Sequence, residues 1–133
     1  MLGRFPVNSA EEATAAVNKT IAYEQAGTGL DWQKHMLFIA DNIPDAAGDF
    51  IALSNQFIEE NVHSPYIADK IYMNDLGCTP QDLSGACPLA TEAIVDYLNN
   101  DGALFVSYTG HGDNERWAAE RIFATEHIPQ LLN

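Results

Sequence analysis

Residues 103–117 read Ala-Leu-Phe-Val-Ser-Tyr-Thr-Gly-His-Gly-Asp-Asn-Glu-Arg-Trp. The run Ala103 to Tyr108 is too apolar to have a wet face, so it predicts a strand buried on both sides of a parallel sheet. It leads directly into Thr109-Gly110-His111-Gly112. Flanking glycines permit backbone geometries closed to other residues and let a substrate or a second backbone come close. A histidine released there has a free ring beside accessible N–H groups, which suits a general acid/base next to an oxyanion donor. A tight turn in which the histidine is incidental would read the same way.

The segments around it alternate in type. Leu2 to Val7 predicts a short strand closed by Pro6. Ser9 and Glu12 form a capping-box pair at the start of a helix carrying Ala10, Ala13, Val17 and Ile21 and stopped by Gly27. His35 to Ala40 predicts a second strand. After the loop 41–49, Asp-Asn-Ile-Pro-Asp-Ala-Ala-Gly-Asp, residues Phe50, Leu53, Phe57 and Ile58 mark one face of a second helix. Tyr66 to Met73 predicts a third strand. Thr91 is read as the cap of a third helix with Ile94, Tyr97 and Leu98, and Thr125 as the start of a short helical piece reaching Leu131 and Leu132. Strands separated by helices imply an α/β fold with a mostly parallel sheet covered on both faces. Such sheets carry function in the loops after the carboxyl ends of their strands, here 41–49 and 109–117.

Composition narrows the function classes. The chain has 133 residues, 47% of them apolar, which suits one domain with a real core. Nineteen Asp and Glu against six Lys and Arg give a net charge of −13, which repels nucleic acid and anionic membranes. The carboxylates either serve solubility or fit a calcium-rich extracellular setting. No apolar run approaches the ~20 residues of a membrane span, and the first residues lack a signal-type apolar stretch. There is no Gly-rich loop followed by Gly-Lys-Ser/Thr, no G-x-G-x-x-G after a strand and no G-x-S-x-G elbow. Asp41, Asp45 and Asp49 lack EF-hand spacing, and His35, His63 and His127 stand apart without metal-ligand spacing.

Phe105 to Gly112, then Trp117 and the tail Phe123 to Asn133, resemble the gingipain-type cysteine peptidases. The opening Gly3-Arg4-Phe5-Pro6-Val7 and the segment Lys19-Thr20-Ile21-Ala22-Tyr23-Glu24 are similar to that family too. The resemblance implies a caspase-like, flavodoxin-like three-layer sandwich, and cleavage of peptide bonds by a cysteine–histidine pair. By it, His111 is the catalytic histidine, Gly112 lends its N–H to the oxyanion hole, and an acidic residue stands behind the histidine at a neighbouring strand end. Asp41 is our choice for that residue, with Asp45 and Asp49 close behind it, although for each of the three a solvated loop capping the next helix reads at least as well. A further aspartate that arginine-specific members hold for the substrate is not matched around Gly48 to Ile51. Trp117 is assigned to substrate binding, with packing under the loop as the other reading. No cofactor is required, and calcium is allowed as a structural ion.

In that family the nucleophilic cysteine follows the histidine, at the end of the next core strand. Here only Cys78 and Cys87 occur, both upstream of His111. Ala86-Cys87 echoes the Ala-Cys that precedes caspase-like nucleophiles, but its context of Gln81-Asp82-Leu83-Ser84 and Pro88 is not a buried strand. The two cysteines are bridged if the protein is exported, or free and structurally neutral. The chain is therefore expected to be the central portion, 1–133, of a peptidase domain truncated at its C-terminus, inactive by itself. The alternative is a non-catalytic peptidase-like binding or assembly module of a secretion or cell-surface system. A polypeptide substrate, a secreted or surface location and a homodimer through an open sheet edge complete the expectations.

Overall fold

His35-Met-Leu-Phe-Ile-Ala40 forms β1, and its last four residues are all buried. A strand without a wet face has to be central, and β1 is: Ile67–Tyr72 (β2) pairs with one edge and Phe105–Thr109 (β3) with the other, both parallel. This computed structural model describes residues 3–42, 44–78 and 87–132. The chain divides into two compact units, Met1–Leu30 and Asp31–Asn133.

In the first unit, Ala10–Gln25 forms α1. Ser9 caps it by accepting from the Glu12 N–H at 3.1 Å, and Glu12 reaches back to the Asn8 N–H at 2.6 Å, one residue earlier than a strict capping box. Gly27, at φ 81°, follows its C-terminus in the left-handed region. The expected strand from residue 2 is not formed over residues 3–7. Pro6 lacks a donor, and among the described residues no strand pairs with this segment.

The second unit holds the sheet between two helices. Leu37 and Ile39 point to one face, where they join Ala90 and Ile94 of α3 (Pro88–Asn100) in the main core, together with Met73, Ala118 and Ile122. Phe38 and Ala40 point to the other face, against α2 (Phe50–Asn61): the Phe38 and Phe57 rings lie 6.0 Å apart, and Ala40 clusters with Phe50 and Tyr72. That is a three-layer α/β sandwich of the caspase-like, flavodoxin-like kind. Each fully buried Leu or Ile contributes roughly 1.5–3 kcal/mol, so the alternation along β1 fixes which helix lies on which side.

The helices depart from expectation in detail. On α2 the buried line runs through Phe50 and Ser54, four residues apart, while Leu53 and Phe57 are about half exposed. Ser54 is tolerated inside because the Tyr72 hydroxyl lies 3.0 Å from it. Helix α3 starts at Pro88 with Cys87 as its N-cap, four residues before the expected cap Thr91. Proline is suited to the first helical position, where its missing N–H costs nothing. The polar loop read at 81–84 lies outside the described residues. Beyond β3, Arg116–Trp117 (β4) and Phe123–Ala124 (β5) form a small antiparallel pair, and Thr125–Gln130 is a 3-10 turn that ends before Leu131.

Candidate active site

Register alone brings the two strand-end loops together. Ala40 of β1 pairs with Thr109 of β3, and the Asp41 N–H continues the ladder to the Thr109 carbonyl at 3.0 Å. The first residue beyond β1 therefore stands beside the first residues beyond β3, at the carboxyl end of the sheet. Gly110 makes the approach possible. A Cβ there would lie 2.5 Å from both the Asp41 Cβ and the Tyr108 hydroxyl oxygen. Its role is close approach rather than a special φ.

Asp41 is 3% exposed in its side chain, yet three N–H groups converge on it. The Asn42 N–H lies 2.7 Å from Oδ1; the His111 backbone N–H at 3.2 Å and ring Nδ1 at 3.0 Å both meet Oδ2. A buried carboxylate needs such partners to offset its desolvation. On the far side of the ring, Nε2 lies 3.0 Å from Asp45 Oδ2. Phe50 meets the imidazole edge-on, with centroids 4.9 Å apart. The His111 carbonyl accepts from the Tyr108 hydroxyl at 2.5 Å and from the Ala118 N–H at 2.8 Å, so the loop is held from below while the ring stays 48% exposed.

Ionised carboxylates only accept hydrogen bonds, so a ring between two of them donates from both nitrogens. That favours the imidazolium. The His111 pKa is accordingly raised: the Asp41 hydrogen bond leads, burial opposes it next, and the Asp45 and Asp41 charges add to the rise. The Tyr108 phenol is pushed up chiefly by burial and then by the Asp41 charge, which keeps it a donor.

Of the residues chosen from sequence, His111, Asp41 and Gly112 come together. Gly112 faces Trp117 in an antiparallel bridge whose flanking bonds use the His111 carbonyl and the Asp113 N–H, leaving the Gly112 N–H outside that pair. Trp117 stacks on Tyr108 at 4.8 Å with rings 2° from parallel, and lies 5.2 Å from Phe123. It also borders a depression of about 250 Å³ together with Asp113, Arg116 and Ile128. Asp49 caps α2 instead, accepting from the Ala52 N–H at 2.9 Å. Asp45, a second candidate from sequence behind Asp41, also reaches the ring. Its contact is made through the turn Asp45–Gly48, where the two residues exchange backbone bonds of 3.1 Å, and nothing in the residue pattern announces that turn's direction.

Cys78 and Cys87 are joined in a disulfide, with Cα atoms 5.9 Å apart, and no cysteine is free. The bridge is tied to the site: Asn42 Nδ2 donates to the Cys78 carbonyl at 3.0 Å. No group of three metal-ligating side chains occurs among the described residues, so no calcium position is located there.

Comparison with known proteins gives a consistent picture. The model of "Peptidase family C25" matches residues 1–133. Gingipain R2 of Porphyromonas gingivalis is 31% identical over 136 residues, covering 99% of this chain and 17% of that protein. Gingipain R1 from the same organism is likewise 31% identical, with 12% of its length covered. The chain thus spans under a fifth of these curated relatives. No solved structure gives a significant match.

Proposed function

The chain belongs to peptidase family C25, and from that premise we propose that it is the histidine-bearing portion of a cysteine endopeptidase domain. The observation that carries this reading is the His111–Asp41 pair, built on adjacent parallel strand ends between two glycines. Asp41 fixes the ring through Nδ1, as the third member of a triad does. The imidazolium stabilises a partner thiolate and then protonates the leaving amine of the scissile peptide. Gly112 offers its N–H to the carbonyl oxygen as charge develops there. Trp117 serves the substrate through the face it leaves toward the depression beside it.

Both cysteines of the chain are consumed by one disulfide. That supports the reading in which the nucleophile comes from outside these 133 residues and the chain by itself is inactive. The same observation fits a peptidase-like binding module without catalysis, but such a module has no use for an exposed histidine clamped by a buried carboxylate. A disulfide also suits an exported protein, secreted or at the cell surface, and among the described residues no helix is long and apolar enough to cross a membrane. Calcium, if bound, serves structure rather than chemistry.

The reading is tested by His111→Ala in a longer form that includes the nucleophile. Loss of a general acid/base lowers kcat/KM by at least about 100-fold with circular dichroism unchanged. An unaltered rate would reject it. The outer edge of β3, with Phe105 and Val106 exposed, offers unpaired backbone groups to a second copy. A concentration-dependent dimer in sedimentation is expected, and a monomer with slow hydrogen exchange along Leu104 to Tyr108 would refute it.

A further inference from the structure

The two carboxylates on His111 are not equivalent. Asp41 is buried, sits on the strand ladder, and holds the backbone as well as the ring of His111. Asp45 is 42% exposed, lies in the short turn Asp45–Gly48, and touches only the Nε2 edge of His111. Its other carboxylate oxygen accepts from the Ala47 N–H at 2.7 Å, within its own turn. One partner is part of the sheet. The other belongs to a turn outside the strand ladder.

An acid/base histidine oriented through Nδ1 acts through Nε2. In the resting arrangement that atom is occupied. We infer that Asp45 is a releasable latch on His111, a positioning carboxylate that holds Nε2 of the protonated ring and has to leave before that nitrogen can meet a thiol or a leaving amine. This rests on the peptidase reading for its consequence, though not for its geometry.

Protonation and access are coupled by the arrangement. The groups facing the ring are Asp41 from the end of β1, Asp45 from the loop and the Phe50 edge from the start of α2, while Tyr108 reaches only the backbone. With both nitrogens protonated, both carboxylates accept from the ring. When the Nε2 proton is lost to a water molecule, the electron pair of that N–H bond stays on Nε2. The bare nitrogen and the Asp45 carboxylate are then both acceptors, and nothing holds the latch shut. It closes again only when the ring regains a proton. Asp41 keeps its Nδ1 proton throughout, so the ring does not turn while the latch is open.

The test uses the 133-residue chain and two ring protons, observed by NMR below the ring's measured titration. In the wild type, both the Nδ1 and Nε2 protons of His111 are protected from exchange with water. Asp45→Ala is expected to speed Nε2 proton exchange about tenfold, the scale of one lost charge-assisted hydrogen bond, and to leave the Nδ1 proton's shift in place. Asp45→Asn, which can still accept, falls between the two. Unchanged Nε2 exchange in Asp45→Ala would overturn the latch. So would loss of the Nδ1 signal in the same variant, because Asp45 would then be a fixed support. Neither readout involves turnover, so a failed cleavage assay in a longer form would reject the peptidase reading and leave the latch decided on its own evidence.

Discussion

The sheet carries a histidine–aspartate pair at each end, and only one of them stands in the loops beyond the carboxyl ends of the strands. At the amino end His35 Nδ1 lies 2.6 Å from Asp69, and the Tyr97 hydroxyl donates to the same oxygen at 2.7 Å. At the carboxyl end His111 Nδ1 lies 3.0 Å from Asp41, with a tyrosine again close by. The six residues of β1 separate the pairs by about 20 Å. His35 is part of a strand and its side chain is 24% exposed; His111 projects from a loop between glycines at 48%. The strand-bound ring is surrounded by its own sheet and helix. The loop-borne ring is the more exposed of the two, and its Nε2 is held by the loop carboxylate of Asp45 alone. Distance to a carboxylate does not distinguish the two, and placement beyond the carboxyl ends of the strands does.

Gly110→Ala should break the contrast most severely. The added Cβ meets Asp41 and Tyr108 at 2.5 Å, neither of which can yield without moving the strand ends. A loss of about 3 kcal/mol in urea unfolding is expected, with the His111 signals dispersed and those of His35 unmoved. Cys78→Ser comes next. Removing a bridge across nine positions of sequence should cost about 2–3 kcal/mol under oxidising conditions. Because the Cys78 carbonyl holds Asn42, the loss should be accompanied by broadening at Asp41 and His111 rather than at Asp69.

Tyr97→Phe probes the other pole. Deleting the hydroxyl that bonds Asp69 should cost about 1 kcal/mol and leave the titration of His111 untouched. A shift at His111 would mean that the poles are coupled through the sheet. Burial and the Asp69 hydrogen bond both push the Tyr97 phenol pKa up, so absorbance at high pH should show it ionising well after the exposed tyrosines.

Asp41→Asn has the smallest effect on folding and the sharpest on titration. The His111 pKa lies above its unfolded value, with the Asp41 hydrogen bond the leading cause. The pair's contribution to stability is therefore fully present below the unfolded histidine value, and it is lost as pH rises through the folded value. Asp41→Asn should lower the His111 midpoint in NMR and flatten that part of the stability profile. An unchanged midpoint would show that Asp41 does not govern the ring.

How much of this was legible in residues depends on what each feature rests on. The span of β1 follows from a run without a polar face, and its ends match at His35 and Ala40. Strand β3 begins at Phe105, two residues later than its apolar run, because Ala103 and Leu104 lie in the connection after α3; as an edge strand it leaves Phe105 and Val106 exposed rather than buried on both sides. Pairing His111 with Asp41 required knowing that β1 and β3 are neighbours, which alternation suggests and the family resemblance supplied. The choice of Thr91 as a cap gave a hydroxyl more weight than a proline at the first helical position. The strand at residues 2–7 was read from apolar character without a partner to pair it. Asp45 stood in the sequence only as one of three loop aspartates, since its contact with the ring depends on the course of one four-residue turn.

The position of the nucleophile is the most direct test of the proposed cysteine–histidine chemistry. Peptide-library cleavage by this chain should be compared with cleavage by a form extended by roughly 60 residues, enough for two further strand–helix–strand units. Each is run with and without thiol alkylation. Cleavage by the extended form alone, abolished by alkylation, is the predicted result. Cleavage by the 133-residue chain itself, or none by a folded extended form supplied with reductant and calcium, would contradict it.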